Sequence, residues 1–422
     1  MSRGEDMLAL VRRLYPICRS ITGDGVRETL RIIREQLPLQ ISEVPTGTPV
    51  LDWTIPDEWN LRRAILRAPD GSILADTDVQ NLHVVNYSEP LAAKLSLDEL
   101  KPHLHSLPNQ PDLIPYRTSY YKRAWGFCLP HRVVESLRDG TYDVEIDTTL
   151  QPGSLTYAEL FIPGETEEEF VFSAHVCHPS LANDNLAGIA VAMGLAKRIQ
   201  AKPKPRLSYR FIFAPGTIGA IAWLARNRDR TKLIRHGLIL SCLGDAGSMT
   251  YKRSRHDDSE INRLCEYALA STGRPYTVND FIPYGYDERQ YCSPGFDLPF
   301  GAMMRTPNGQ YPEYHTSADN PDLLRAEALE DSLSVLEQIV EAAEANQTYV
   351  NKQPYGEPQL GRRGLYNLTG GATKPAGYDM ALLWVLNFSD GKHDLLAIAK
   401  KSKLPLATLA AAAEALKKVD LL

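Results

Sequence analysis

Apolar positions fall into distinct textures along the chain. In the first 40 residues they recur with helical spacing: Met7, Leu8, Leu10, Val11 and Leu14 share a face, a Gly23-Asp24-Gly25 break follows, and Leu30, Ile32, Ile33 and Leu37 resume the pattern. Two amphipathic helices are expected there. From about Pro49 to Gly126 short β-like pieces alternate with Pro-rich turns and no long helical period occurs, which reads as a compact inserted module. From about Tyr142 to Gln347 apolar runs suited to buried strands (EFVFSAHV, LSYRFIFAP, GLILSCLG, LPFGAMMR) alternate with helical stretches at 186–199, 218–228 and 259–270. That alternation predicts an α/β fold, a largely parallel mixed sheet with helices on both faces.

Beyond Thr348 a Gly- and Pro-containing linker leads to three short helical patterns, DMALLWVLNF, DGKHDLLAIAKKSK and LPLATLAAAAEALKKVDLL, which look like a winged helix-turn-helix. The expected organisation is N-terminal helices over 1–48, a β-rich module over 49–126, the α/β domain over 127–347 and a winged-helix-like domain over 348–422. The stretch after Leu404 would be the recognition helix, yet it has no Arg, Asn or Gln to meet base edges. Packing against a partner subunit, giving a homo-oligomer, fits it better than DNA reading.

Composition narrows the setting. With 43% apolar and 23% charged residues the chain is of ordinary globular type, and its 422 residues suit two or three domains. A net charge of -6 gives no general attraction to nucleic acid or anionic lipid. The 10 Lys plus Arg against 6 Asp plus Glu after residue 350 make only a mild basic excess. The six cysteines include no C-x-x-C pair, Arg12 and Arg13 interrupt any leader-like apolar stretch, and no run of 18 apolar residues occurs. A reducing cytoplasm and no membrane are expected.

The chemistry concentrates in FVFSAHVCHPSLANDNLAGIAVAMGLAKRI. A buried strand delivers His175 to its carboxyl end, where open α/β sheets bind ligands, and a loop then places Asp184 at a helix start. Imidazole and carboxylate together suit a zinc-type ion. The strand GLILSCLG runs into Asp245, a third ligand candidate. The loop YPEYHTSADN supplies His315, with Glu313 and Asp319 as partners that would fix an imidazole tautomer. Arg305 and Tyr314 could grip a substrate carboxylate or oxyanion, or pair with neighbouring acids. Tyr116, Tyr120, Tyr121 and Trp125 read equally as a specificity pocket or an interdomain contact. Cys177 reads as a small buried hydrophobe rather than a thiolate ligand, and His178, before Pro179, as a shaper of the turn.

The blocks SAHVCHPSLANDNLAG, FIFAPGTIG, LSCLGDAG, YDERQYCSPGFDLP and YPEYHTSAD, in that order over about residues 170–320, resemble the zinc aminopeptidase superfamily that also contains the glutaminyl cyclases. Within it they are similar to an aminopeptidase-like bacterial branch, whose inserted module GTPVLDWTIPDEWN resembles. The resemblance implies that His175 binds a first zinc, Asp184 bridges, Asp245 completes the first site and His315 binds a second. The chain departs from it in two places. Cys177 stands where the superfamily has an orienting aspartate, and Gly216 and Thr217 stand where it has adjacent glutamates, one the general base and one a ligand.

One zinc rather than two is therefore expected, with Glu288 or Glu313 as the replacement base. The expected activity is zinc-dependent hydrolysis of an amide in a small amino-acid or peptide-like substrate. Two alternatives are a single-zinc cyclase or transferase-like enzyme, and a catalytically retired metal-binding scaffold or sensor.

Overall fold

The computed structural model describes residues 2–365 and 377–422. Helix α1 (Arg3–Leu14) opens on a capping box, Ser2 Oγ accepting from the Glu5 amide while the Glu5 carboxylate accepts from the Ser2 amide. Its apolar stripe buries Met7, Val11 and Leu14, and α2 (Asp24–Arg34) buries Val26, Leu30 and Ile33 in the same spacing.

Eight strands form the main sheet: β1 (Gln40–Pro45), β2 (Ser154–Ile162), β3 (Glu169–His175), β4 (Ser208–Ala214), β5 (Ile234–Leu240), β6 (Met249–Lys252), β7 (Tyr276–Asn279) and β8 (Phe300–Met304). Their spatial order is β1-β2-β4-β3-β5-β8-β6-β7. The centre, β4-β3-β5-β8, is parallel throughout, while β1, β2 and β6 join antiparallel, so the sheet is mixed as the sequence predicts. Every residue of β3 and β4 is buried, the mark of strands covered on both faces. Helix α3 (Gly188–Gln200) packs on β3 and β5, and α1 packs on α3. Gly188 permits this approach: a Cβ there would collide with the Leu240 carbonyl at the end of β5. Helix α4 (Ile218–Arg226) follows β4.

The inserted region builds a second, four-stranded antiparallel sheet from Ile73–Asp76, Glu58–Arg67, Thr141–Gln151 and Leu91–Ser96, in that order. Its pairing runs past residue 126, because the long Glu58–Arg67 strand finds its partner in Thr141–Gln151.

The chain divides into two compact units, residues 1–262 with 273–334, and residues 263–272 with 335–422. The second holds α5 (Tyr378–Phe388), α6 (Leu395–Ser402), α7 (Leu406–Lys418) and a ribbon of Thr348–Val350 with Asp390–Asp394. On α7 the exposed positions include Ala407, Ala411, Glu414, Lys417 and Lys418, none of them an Arg, Asn or Gln. Among the described residues no helix is long and apolar enough to cross a membrane.

Candidate metal centre

The parallel pairing of β3 and β4 sets His175 opposite Ala214, so the carboxyl ends of the two strands finish side by side. Between β3 and α3 the backbone leaves helical values at Asp184 (φ -110°, ψ 81°) and Asn185 (φ -142°, ψ 34°). This turn is held by Asp319. Its carboxylate accepts from the amides of Ala182 (3.1 Å), Asn183 (2.6 Å) and Asp184 (3.1 Å), and from the Tyr311 hydroxyl (3.3 Å). Burial pushes Asp319 up to about 7, against the pull of those amides. The expectation that Asp319 orients an imidazole is replaced by this: it orients the loop that carries Asp184.

Asp184 then stands between two imidazoles. Its Oδ1 is 2.9 Å from His175 Nε2 and its Oδ2 is 3.0 Å from His315 Nε2. His178 completes the group, since single ligand atoms of His175, His178 and Asp184 all lie within 4.8 Å of one another. His315 reaches in from a left-handed backbone (φ 56°), a conformation uncommon for a residue with a Cβ and often found at functional sites. Burial works to raise the Asp184 carboxyl, but the imidazoles of His178, His175 and His315 hold it well below the usual carboxylate range. Burial keeps His178 neutral, well below an ordinary imidazole. An ionised carboxylate beside a neutral imidazole is the protonation state in which such side chains bind a divalent ion.

Aromatic rings wall the group. The Tyr286 ring lies 4.0 Å from that of His175, and its hydroxyl is 3.4 Å from Cys177 Sγ. A Cβ added at Gly216 would collide with this same ring, so Tyr286 occupies the space that a side chain at residue 216 would need. Cys177 is 1% exposed and its thiol is pushed up to about 12 by burial, which leaves it protonated. Tyr314 stacks on His315 at 3.9 Å. From the inserted region, Tyr116 meets His178 and His315 edge-on, each at 5.1 Å, and its amide donates to the His315 carbonyl at 2.8 Å. The aromatic group read from the sequence therefore splits. Tyr116 and Tyr120 join through their hydroxyls at 2.9 Å, Trp125 stacks on His103 and Tyr121 packs on Trp53.

The other residues singled out in the sequence have the following surroundings. The carboxylate of Asp245 accepts from Asn183 Nδ2 (2.9 Å), the Gly247 amide (2.7 Å), and the amide (3.2 Å) and hydroxyl (2.7 Å) of Thr306, which braces the loops around it. On the same loop the Cys242 thiol is pushed far up, by burial and then by the charge of Asp184. Arg305 is pinned to the Gly247 carbonyl (2.7 Å) and Asp331 (2.8 Å). Glu288, 1% exposed, pairs with Lys252 Nζ at 2.7 Å and accepts from the Tyr286 amide at 3.0 Å. Glu313 is half-buried two positions before His315. His178, which the sequence suggests as a shaper of the turn, joins the cluster instead, and Tyr286 is not singled out by the sequence. The HVCH spacing was a usable signal for the first, whereas only the fold brings Tyr286 to Gly216.

Beside the cluster is a cavity of about 400 Å³, lined by Tyr286, whose ring packs on His175, and by Ser241, Asn308, Asn279, Ile282 and Gln310. Asn308 Oδ1 accepts the Cys242 thiol at 3.0 Å.

Residues 8–346 match the family described as domain of unknown function (DUF4910), and residues 347–422 match a winged helix-turn-helix family. A relative from Clostridium acetobutylicum, named a candidate polysaccharide biosynthesis protein with an aminopeptidase-like domain, is 48% identical over 419 residues, covering 99% of this chain and 96% of its own. A crystal structure from Clostridium acetobutylicum, of a candidate peptidase, superposes with a TM-score of 0.91 at 46% identity over 99% of this chain and 96% of the other. A zinc aminopeptidase from Bacillus subtilis superposes with a TM-score of 0.59 at 11% identity, over 81% of this chain and 95% of the other. That level of identity shows a shared fold alone, and the fold is the zinc-aminopeptidase one.

Proposed function

The chain belongs to the DUF4910 family, and from that premise we propose that it is a zinc-dependent, aminopeptidase-like hydrolase of an amide in a small amino-acid or peptide-like substrate. The observation that carries this reading is the Asp184 carboxylate with an imidazole on each oxygen and His178 beside it. Three imidazoles and one carboxylate form a donor set suited to zinc. His175, His178, Asp184 and His315 would hold the ion, which would supply Lewis acidity toward an amide carbonyl and a more acidic water at neutral pH.

The chain's own residues do the rest. Asp319 fixes the Asp184 loop, Tyr116 and Tyr314 fix the His315 ring, and Tyr286 packs against His175. In hydrolysis, water adds to the carbonyl carbon, the C–N bond breaks and the proton taken from water ends on the leaving amine. That proton needs a carrier. Glu313 suits the task better than Glu288, whose lone pairs are committed to Lys252 and the Tyr286 amide. Asp245 and Arg305 act as braces in this reading. One metal is favoured over two, because Gly216 and Thr217 supply no carboxylate.

The test is release of amine from a panel of aminoacyl amides by the zinc-loaded protein. Glu313→Gln is expected to lower kcat about 10²- to 10⁴-fold with metal retained. Metal binding without turnover of any amide would favour the scaffold reading, which the Tyr286 ring over Gly216 supports.

A further inference from the structure

The cavity beside the cluster has a chemistry of its own. Its two buried charges cancel: Lys252 Nζ donates to Glu288 Oε1 at 2.7 Å and to the Tyr284 carbonyl at 2.6 Å. Asp280, also on its wall, answers Arg253 at 2.6 Å. A charged ligand would find no unpaired counter-charge there and would lose its hydration.

What the walls offer instead is neutral hydrogen bonding. Among the described residues, the side-chain amides of Asn279 and Gln310 have no protein partner. Asn308 spends its carbonyl oxygen on the Cys242 thiol, which leaves its amino group as a donor. The Ser241 hydroxyl has only long contacts of 3.5 Å. At the rim, Tyr284 is 75% exposed and Ile282 55% exposed, giving an aromatic and an aliphatic face to solvent.

Amides along the wall, Asn279 and Asn308 half-buried and Gln310 exposed, and a ring at the rim suit a ligand with hydroxyls around its edge and C–H bonds on its faces. An aliphatic side chain would pair with none of these groups, whereas a hydroxyl-bearing ring can pair with the Asn279, Asn308 and Gln310 amides and with the buried Ser241 hydroxyl. The volume of about 400 Å³ lies within the ordinary range for small-molecule sites. We propose that this cavity binds an uncharged sugar ring. Resting on the hydrolase reading for what that ring is attached to, the substrate is an amino acid joined through its carboxyl to the amino group of a sugar. The amide faces the histidine cluster and the sugar fills the cavity, with Tyr286 on the boundary between them.

The test is calorimetric titration of the full chain with N-acetylglucosamine, glucuronate and leucinamide, with metal content measured on the same preparation. Saturable binding of N-acetylglucosamine is expected, with glucuronate and leucinamide at least tenfold weaker. Gln310→Ala and Ile282→Trp, both at exposed positions, are each expected to weaken the sugar at least fivefold without moving Tm. Binding that neither variant alters, no saturable sugar binding, or equal affinity for leucinamide overturns the proposal. Sugar binding by a protein that holds no metal upholds the sugar site and sinks the hydrolase reading, whereas metal without sugar binding does the reverse.

Discussion

Replacing Gly216 by alanine asks whether Tyr286 has taken the place of a lost side chain. All three atoms nearest the added Cβ belong to the Tyr286 side chain, two ring carbons and the hydroxyl oxygen, and each would stand closer than the 3.0 Å that such contacts keep. The nearest ring carbon would stand 2.1 Å from that Cβ, so the ring must retreat by about 0.9 Å to reach 3.0 Å, a small-to-large change of the kind that costs about 1–3 kcal/mol. Retreat also loosens the 3.4 Å contact of the Tyr286 hydroxyl with Cys177 and the 4.0 Å packing on His175. Gly216→Ala is therefore expected to lower Tm by about 2–6 °C, and to weaken zinc about tenfold through the loss of support for His175. The decisive assay is a double-mutant cycle with Tyr286→Ala. With the ring gone the methyl has room, so Gly216→Ala should then cost less than about 0.5 kcal/mol, a coupling of about 0.5 kcal/mol or more. A neutral Gly216→Ala, or one equally costly in both backgrounds, would refute the reasoning.

Three further perturbations probe the frame around the site. Asp319→Asn turns an acceptor of three amides into a group that must also donate, and is expected to weaken zinc tenfold or more and to cost about 2–4 kcal/mol, read by chelator competition and thermal melting. Asp245→Ala removes the partner of four donors and should cost about 2–3 kcal/mol while elemental analysis still finds the metal. Arg27 bonds Glu58 at 2.8 Å and, as the largest cause, pulls its carboxyl down to about 2, below the unfolded value. That stability is present above about pH 4.5 and lost as pH falls toward 2. Arg27→Ala should cost about 1 kcal/mol at pH 7, allowing for solvent screening, and the Tm gap to the parent protein should narrow between pH 5 and pH 3.

The parts of this molecule that were legible in the sequence are those in which local pattern and tertiary role coincide. The apolar run ending at His175 could only be a central strand, and Asp184 falls at the turn that follows. The helices at 188–200 and 218–226 sit where the periodicity placed them. Asp245 shows the limit. It lies past the end of β5, but the backbone turns left-handed at Cys242 (φ 49°), and the loop then hands the carboxylate to Asn183 and Thr306. No spacing rule conveys that turn. Glu288 reads as a candidate base until Lys252, 36 positions earlier, meets it from β6. Pairings over such distances are properties of the fold, and His178 was passed over for the opposite reason: its neighbour Pro179 offered a simpler local explanation.

The central claim is that His175, His178, Asp184 and His315 hold a catalytic divalent metal. Elemental analysis of protein purified without chelator, beside His175→Ala and His315→Ala, tests it most directly. About one zinc per chain, lost or much reduced in both variants, is the expected result; a metal-free parent protein, or zinc that survives both substitutions, would contradict it.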